Sequence, residues 1–197
     1  EDTYLVSRMG FAASTGLQGG TEGNPGTTHI ISSPKHFAGY GQVSGGRNFA
    51  PAVFNTRMLY DEILSPFEKN VREANVLGIM GSHCDIDGIP AHANHWLLTE
   101  VLRNKWGFKG MVVSDYYDIR QLYEFHHVAG DAKDAAKVAL TAGVDIDLPN
   151  GVVYHNLTEV ISDNPSIEQY LDESVKRILS LKFKLGLFEN PFVDPEK

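Results

Sequence analysis

The spacing of apolar residues switches between helix and strand periods along the chain. Residues 3–17 carry Tyr4, Leu5, Met9, Ala12 and Ala13 on one helical face. GGTEGNPGT at 19–27 reads as a loop, and the β-branched run from His29 to Ser33 as a short strand stopped by Pro34. Glycines at 39, 41, 45 and 46 predict a loop reaching Asn48. From Thr56 to Leu77 the residues Leu59, Ile63, Phe67, Val71 and Ala74 recur at helical spacing, with Pro66 predicting a kink or break. Val76 to Met80 reads as a second strand, 81–95 as a polar loop, and Trp96 to Lys105 as an amphipathic helix stopped by Gly107. Gly110 to Asp115 is an apolar run that closes on an acid, the pattern of a strand buried on both faces of a parallel sheet. An Ala-rich helix from Asp131 to Thr141 and a strand from Gly143 to Leu148 follow. The last helix, Ser166 to Leu185, turns Ile167, Leu171, Val175, Ile178 and Leu179 inward. Ser166 and Gln169 are spaced as a capping box, and Gly186 ends the helix.

Repeated strand–helix units predict an α/β fold with a parallel sheet and outer helices. About four strands are present against the eight of a complete (β/α)8 barrel. The predicted architecture is therefore a partial TIM-like barrel or a small open sheet. Residues 1–188 form this domain, and 189–197 (ENPFVDPEK) read as the start of a linker.

Composition narrows the function. Of 197 residues, 42% are apolar and 21% charged, enough to build a core. The net charge of −8 disfavours nucleic acid and anionic membranes as partners. No run of 18 apolar residues predicts a membrane span. The single cysteine, Cys84, excludes a disulfide framework and a cysteine zinc cluster. No signal peptide is visible, and the first residue is Glu1 rather than Met. The true N-terminus is therefore expected upstream, and the compartment stays open.

Three predicted strands end in residues capable of chemistry: Lys35 and His36; Ser82, His83 and Asp85; Ser114 and Asp115. In parallel α/β folds such ends converge on one face, where sites form. Asp115 could instead cap the next helix. His83, His92 and His95 allow a metal reading, but no HExxH or cysteine cluster supports it, and neither metal nor cofactor is expected. His126 and His127 fit a loop or helix end. Cys84 beside a strand end fits a small buried hydrophobe better than a nucleophile.

With these residues in view, the sequence resembles family 3 glycoside hydrolases, the β-glucosidase and β-xylosidase group. The resemblance runs through EDTYLVSRMGFAASTGLQG, PKHFAGYG with GGRNFAP, GIMGSHCDIDGIPAHANHWLLTEVLRNKWGFKGMVVSDYYDI, AGVDIDLPNG and VKRILSLKFKLGLFENP, in family order. It implies a retaining hydrolase that releases terminal β-D-glucose or β-D-xylose from oligosaccharides or from aryl and alkyl β-glycosides. In such enzymes one carboxylate forms a glycosyl-enzyme and a second acts as acid, then base. Asp115 falls at the nucleophile position. Lys35 and His36 fall where sugar hydroxyls are bound, and their positive character would keep Asp115 ionised. Met80 falls among the substrate contacts, and Tyr116 where an aromatic residue flanks the leaving group.

His83 stands where the family usually has Tyr, which puts a titratable ring beside the nucleophile. The loop after Lys35-His36-Phe37 reads QVSGGRN from Gln42 and lacks the Asp-Ser-His stretch of the N-acetylglucosaminidases, so that branch is disfavoured. The resemblance also implies earlier strands supplying an Asp and an Arg, and a following α/β domain supplying an acid/base Glu. No acid/base candidate stands in this chain, which is expected to be a fragment, poorly active alone. Competing readings are a binding remnant that has lost catalysis and a metal-dependent hydrolase.

Overall fold

The computed structural model of the chain describes residues 2–192. Its centre is a parallel sheet. Strand β1 (Gly78–Met80) pairs in register with the later strand Met111–Val113, Ile79 opposite Val112. Two extended segments extend the sheet. Segment 32–37 flanks β1 through Gly78 N–H to the Ser32 carbonyl (3.0 Å), Met80 N–H to the Pro34 carbonyl (3.2 Å) and Phe37 N–H to the Met80 carbonyl (2.8 Å). Segment 144–148 flanks Met111–Val113, with Ser114 N–H on the Ile146 carbonyl at 2.9 Å. The four segments thus lie side by side in chain order. The first pairs beyond the stop expected at Pro34, because a proline lacks only the donor and its carbonyl still accepts. Gly110 permits close approach ahead of Met111: a Cβ there would meet the Leu77 carbonyl oxygen at 2.2 Å.

Between β1 and that strand lies a hairpin, β2 (Asp85–Ile86) and β3 (Ile89–Pro90), where the sequence pattern predicts a polar loop. Asp87 and Gly88 turn it with positive φ (55° and 80°), the two-residue turn that Asp-Gly favours. Asp85 Oδ1 accepts from Gly88 N–H at 2.9 Å and fixes the turn. Among the described residues, β4 (Met111–Val113) completes the strands.

Helix α1 (Thr3–Gln18) forms where expected, but its seating is reversed. Tyr4, Leu5 and Met9 are exposed, while Ser7, Ser14 and Gln18 are buried. Gln18 explains this: Oε1 accepts from Ser32 N–H (3.2 Å) and Leu77 N–H (3.0 Å), and Nε2 donates to the Ala74 and Asn75 carbonyls. Ser14 Oγ donates to Asn70 Oδ1 at 2.7 Å. These bonds satisfy backbone groups that burial would otherwise orphan.

Helix α2 runs unbroken from Thr56–Met58 through a π-wound stretch, Leu59–Leu64, into Ser65–Glu73. Pro66 stands where the π-wound stretch passes into Ser65–Glu73, and the helix continues through it rather than breaking. Leu59, Leu64, Val71 and Ala74 are buried, and Asn75 (φ 47°) ends the run before Leu77. Helix α3 (Trp96–Lys105) is also π-wound, and Trp106 N–H reaches the Val101 carbonyl at 3.0 Å. Asn94 Oδ1 caps it by accepting from Leu97 N–H.

Helices α4 (Asp118–Glu124), α5 (Ala132–Ala142), α6 (Leu157–Asp163) and α7 (Glu168–Lys184) follow. Asp131 caps α5 through Asp134 N–H, and Ala135, Ala136 and Ala139 are wholly buried. Before α7 the cap is Asn164 rather than Ser166, with Asn164 Oδ1 accepting from Ser166 N–H at 3.3 Å. Ile167 and Leu181 are buried, whereas Val175 and Leu179 are exposed. The core formed by Phe37, Ile79, Leu97, Leu98, Leu102, Val112 and Val144 sits between sheet and helices. Residues 193–197 of the expected linker lie outside the described residues.

Candidate active site

Asp115 follows β4 at the carboxyl end of the sheet. The apolar run before it is buried at Val112 and Val113, so the backbone is fixed while the side chain emerges, 15% exposed. The carboxylate is held from several sides. Oδ1 accepts from Tyr116 N–H at 2.7 Å. Oδ2 lies 3.3 Å from His36 Nε2 and 3.1 Å from His83 Nε2. His36 arrives on the first parallel segment and His83 on the chain leaving β1, so three adjacent strand ends converge here.

A second layer lies behind. His83 Nδ1 is 2.5 Å from Asp118 Oδ1. His92 is buried, its Nε2 accepts from Asp115 N–H at 3.2 Å, and its Nδ1 lies 3.2 Å from Asp118 Oδ2, too oblique for a formal hydrogen bond. The hairpin β2–β3 returns the chain so that His92 reaches the strand end. Gly81 leaves room for it, since a Cβ there would stand 2.4 Å from His92 Nε2. Around His83 lie the Phe49 ring at 4.7 Å and the Tyr40 ring at 6.2 Å, and Phe125 lies 5.5 Å from Phe49.

The three imidazoles differ. Burial lowers His36, against the opposing pull of Asp115. Burial lowers His92, against Asp118. Burial pulls His83 down too, but its hydrogen bond to Asp118 and the charges of Asp118 and Asp115 outweigh it and raise it overall.

The remaining candidates fall around this cluster. Lys35 is exposed, and no ion pair among the described residues includes it. Met80 is half-buried at the end of β1, and Tyr116 is 58% exposed on the rim. The proposed metal set does not converge: His95 lies on the surface 3.9 Å from Glu100, away from buried His92. Cys84 is fully buried against Ser82 Oγ (3.0 Å), and burial raises its thiol, which keeps it protonated and inert. His126 is half-buried after α4, and His127 Nδ1 faces the Tyr123 carbonyl at 3.1 Å. The sequence pattern offers His92 only as a metal ligand and does not single out Asp118, Tyr40 or Phe49. The spacing Asp115 to Asp118 and the Asp-Gly turn before His92 were the available signals.

A cavity of about 780 Å³ opens elsewhere, between the hairpin and the start of α2, lined by Ala52, Phe54, Asn55, Tyr60, Ile89 and Trp96 among others. None of His36, His83 or Asp115 lines it. The titratable groups that could do chemistry converge at the strand ends, so the site is assigned there.

Fold and rim define an α/β protein with an acidic strand-end site. The chain belongs to glycosyl hydrolase family 3: residues 1–181 match the model of its N terminal domain. A β-glucosidase structure from Erythrobacter marinus superposes with a TM-score of 0.95 at 45% identity, over 100% of this chain and 26% of that one. A beta-xylosidase of Formosa agariphila is 42% identical over 96% of this chain and 27% of its own length. A beta-glucosidase from Listeria innocua, solved in complex with isofagomine, has a TM-score of 0.90 at 34% identity, over 97% of this chain and 27% of that one. The chain thus spans about a quarter of the length of the relatives it matches.

Proposed function

We propose that the chain carries the nucleophile half of a retaining β-glucosidase or β-xylosidase site, acting on β-linked gluco- or xylo-oligosaccharides or on aryl and alkyl β-glycosides. The carrying observation is the Asp115 carboxylate at a strand end, flanked by His36 and His83 and left partly open. In this reading the four parallel segments are part of a (β/α)8 barrel, with active-site residues on its carboxyl rim.

A carboxylate oxygen of Asp115 attacks the anomeric carbon, and the bond to the leaving oxygen breaks as that oxygen takes a proton from a carboxylic acid. Water then attacks the same carbon, gives its proton to that second carboxylate, and frees Asp115. The acid/base is proposed to lie outside these residues, on a part of the protein beyond the linker that begins near Glu189. His36 and Lys35 would bind sugar hydroxyls, Met80 would line the sugar pocket, and the Tyr116 face would flank the leaving group.

The test is covalent trapping on the intact protein with 2-deoxy-2-fluoro-β-glucosyl and -xylosyl donors bearing activated leaving groups, read by peptide mass spectrometry. A glycosyl adduct on Asp115, absent from Asp115→Asn, is expected. An adduct on another carboxylate overturns the assignment. Turnover without any adduct overturns the covalent mechanism, and sugar binding without turnover or adduct returns the site to a binding role.

A further inference from the structure

His83 lies between two carboxylates, each nitrogen facing one. Nδ1 is 2.5 Å from Asp118 Oδ1 and Nε2 is 3.1 Å from Asp115 Oδ2. Asp118 sits on the first turn of α4 and is buried, its side chain 2% exposed. A neutral imidazole carries a single N–H and can donate to only one of these partners. Given Asp118's shorter contact, a single proton would stay on Nδ1, and the Nε2 lone pair would then face the Asp115 oxygen.

We propose that Asp118 is a positioning residue that holds His83 turned and with both ring nitrogens protonated, so that Nε2–H is delivered to the nucleophile's Oδ2. The proposal rests on the nucleophile reading given above. Asp118 touches no reacting atom and reaches the nucleophile's Oδ2 through His83, while its other oxygen faces His92 Nδ1 at 3.2 Å.

The surroundings favour this state. His36 and Asp115 face His83 across the rim, and His92 and Asp118 lie behind it. His126, after α4, lies near the His83 backbone, and the Tyr40 and Phe49 rings cover the remaining side. Burial lowers His36, His92 and His126, while His83 is raised overall against burial by Asp118 and Asp115. His83 is therefore the imidazole that carries charge here when its neighbours do not. Both contacts are then charge-assisted, and Asp115 keeps a fixed donor on Oδ2. Once His83 loses a proton, donation to Asp115 ends, so activity falls on the alkaline side through this ring.

The experiment uses the intact protein and two readouts. Nitrogen-resolved NMR follows the His83 ring against pH, and kcat/KM against pH is measured with an aryl β-glucoside or β-xyloside, whichever is turned over. Asp118→Asn is expected to move both the His83 titration and the alkaline limb of kcat/KM to lower pH. It should lose about tenfold in kcat/KM at the wild-type optimum, as for one charged hydrogen bond. Asp118→Glu is expected to recover the limb. In a His83→Gln background, Asp118→Asn should leave the limb unmoved.

An unmoved His83 titration in folded Asp118→Asn, with trapping still at Asp115, overturns this inference and leaves the nucleophile reading standing. Trapping at another carboxylate overturns the nucleophile reading and the positioning role with it. Should Asp118→Asn not fold, the wild-type spectrum decides. His83 protonated on both nitrogens at a pH where His36 and His92 are not supports the proposal, and a singly protonated His83 there overturns it.

Discussion

Asp115 and Asp145 stand on neighbouring parallel segments, and each is gripped by several donors, yet the two sites are built from different chemistry. The Asp145 side chain is fully buried. Oδ2 accepts from Arg103 Nη2 and Val112 N–H, both at 2.7 Å, and Oδ1 accepts from Ser174 Oγ (2.8 Å) and Arg177 Nε (2.9 Å). Its ionic partners are the guanidinium groups of Arg103 and Arg177. It ties α3, β4 and α7 to the sheet and leaves no lone pair for a ligand. Asp115 keeps an open face, and its side-chain partners are imidazoles whose charge can change. A saturated carboxylate holds structure, while one left partly open among titratable rings is equipped for reaction.

The sharpest way to break this contrast is to neutralise each acid in turn. Asp115→Asn is expected to lower turnover of the intact protein by at least about 10⁴-fold, with an unchanged circular dichroism spectrum. Retention of a tenth of the activity, only about 1.4 kcal/mol of barrier, would end the nucleophile assignment. Asp145→Ala should do the opposite, unfolding the protein rather than altering its chemistry. It leaves the Arg103 guanidinium without an ionic partner and Arg177 with only Glu173 at 3.7 Å, a loss of about 3–5 kcal/mol that thermal or urea denaturation would report. A stability change within about 0.5 kcal/mol would mean that the arginines hold nothing together.

A smaller effect tests the support behind Asp115. Gly81→Ala places a methyl 2.4 Å from His92 Nε2, closer than contact allows, so His92 must shift off the Asp115 amide. A displacement near 1 Å at the nucleophile is expected to lower kcat about 10²-fold with little change in KM. Unchanged kinetics would show that His92 does not set the position of Asp115.

The smallest effect is one of pH on stability. His83 is raised above the ordinary value of 6.5, so its contribution is fully present below 6.5 and is lost as pH rises through the folded value. His36 and His92 are lowered and act oppositely: stability falls as pH drops from 6.5 through their folded values. The stability difference between wild type and His83→Gln should therefore shrink as pH is raised above 6.5. A difference flat from pH 5 to 9 would remove His83 from the charged set.

Much of this was legible in the chain itself. The apolar run before Asp115 did form a strand with its acid past the end, and the periodic Leu59-to-Ala74 face did pack inward. What periodicity could not see was direction and return. The apolar stripe of α1 reads as a core face, yet the buried face is the polar one. Gln18 and Ser14 answer backbone and side-chain groups on segments far along the chain, and no local window contains those groups. His92 read as a loose metal candidate because its role exists only after a two-residue turn folds it back. Asp118 lies three residues past Asp115, but Tyr117 between them takes a left-handed backbone (φ 65°). That bend, invisible in composition, brings the two acids to opposite sides of one ring.

The polar underside of α1 also bears on how the protein answers to temperature. Burial of apolar surface weakens on cooling and carries most of the heat-capacity change of unfolding, whereas exposing polar groups lowers that heat capacity. A helix seated through Gln18, Ser14 and Asn70 therefore holds its place by an attachment that chilling does not erode. Near freezing, the seam between α1 and the sheet is set to outlast the grease-packed contacts around Leu97 and Leu102. Amide exchange in α1, followed from room temperature toward 0 °C, should slow relative to exchange in α3.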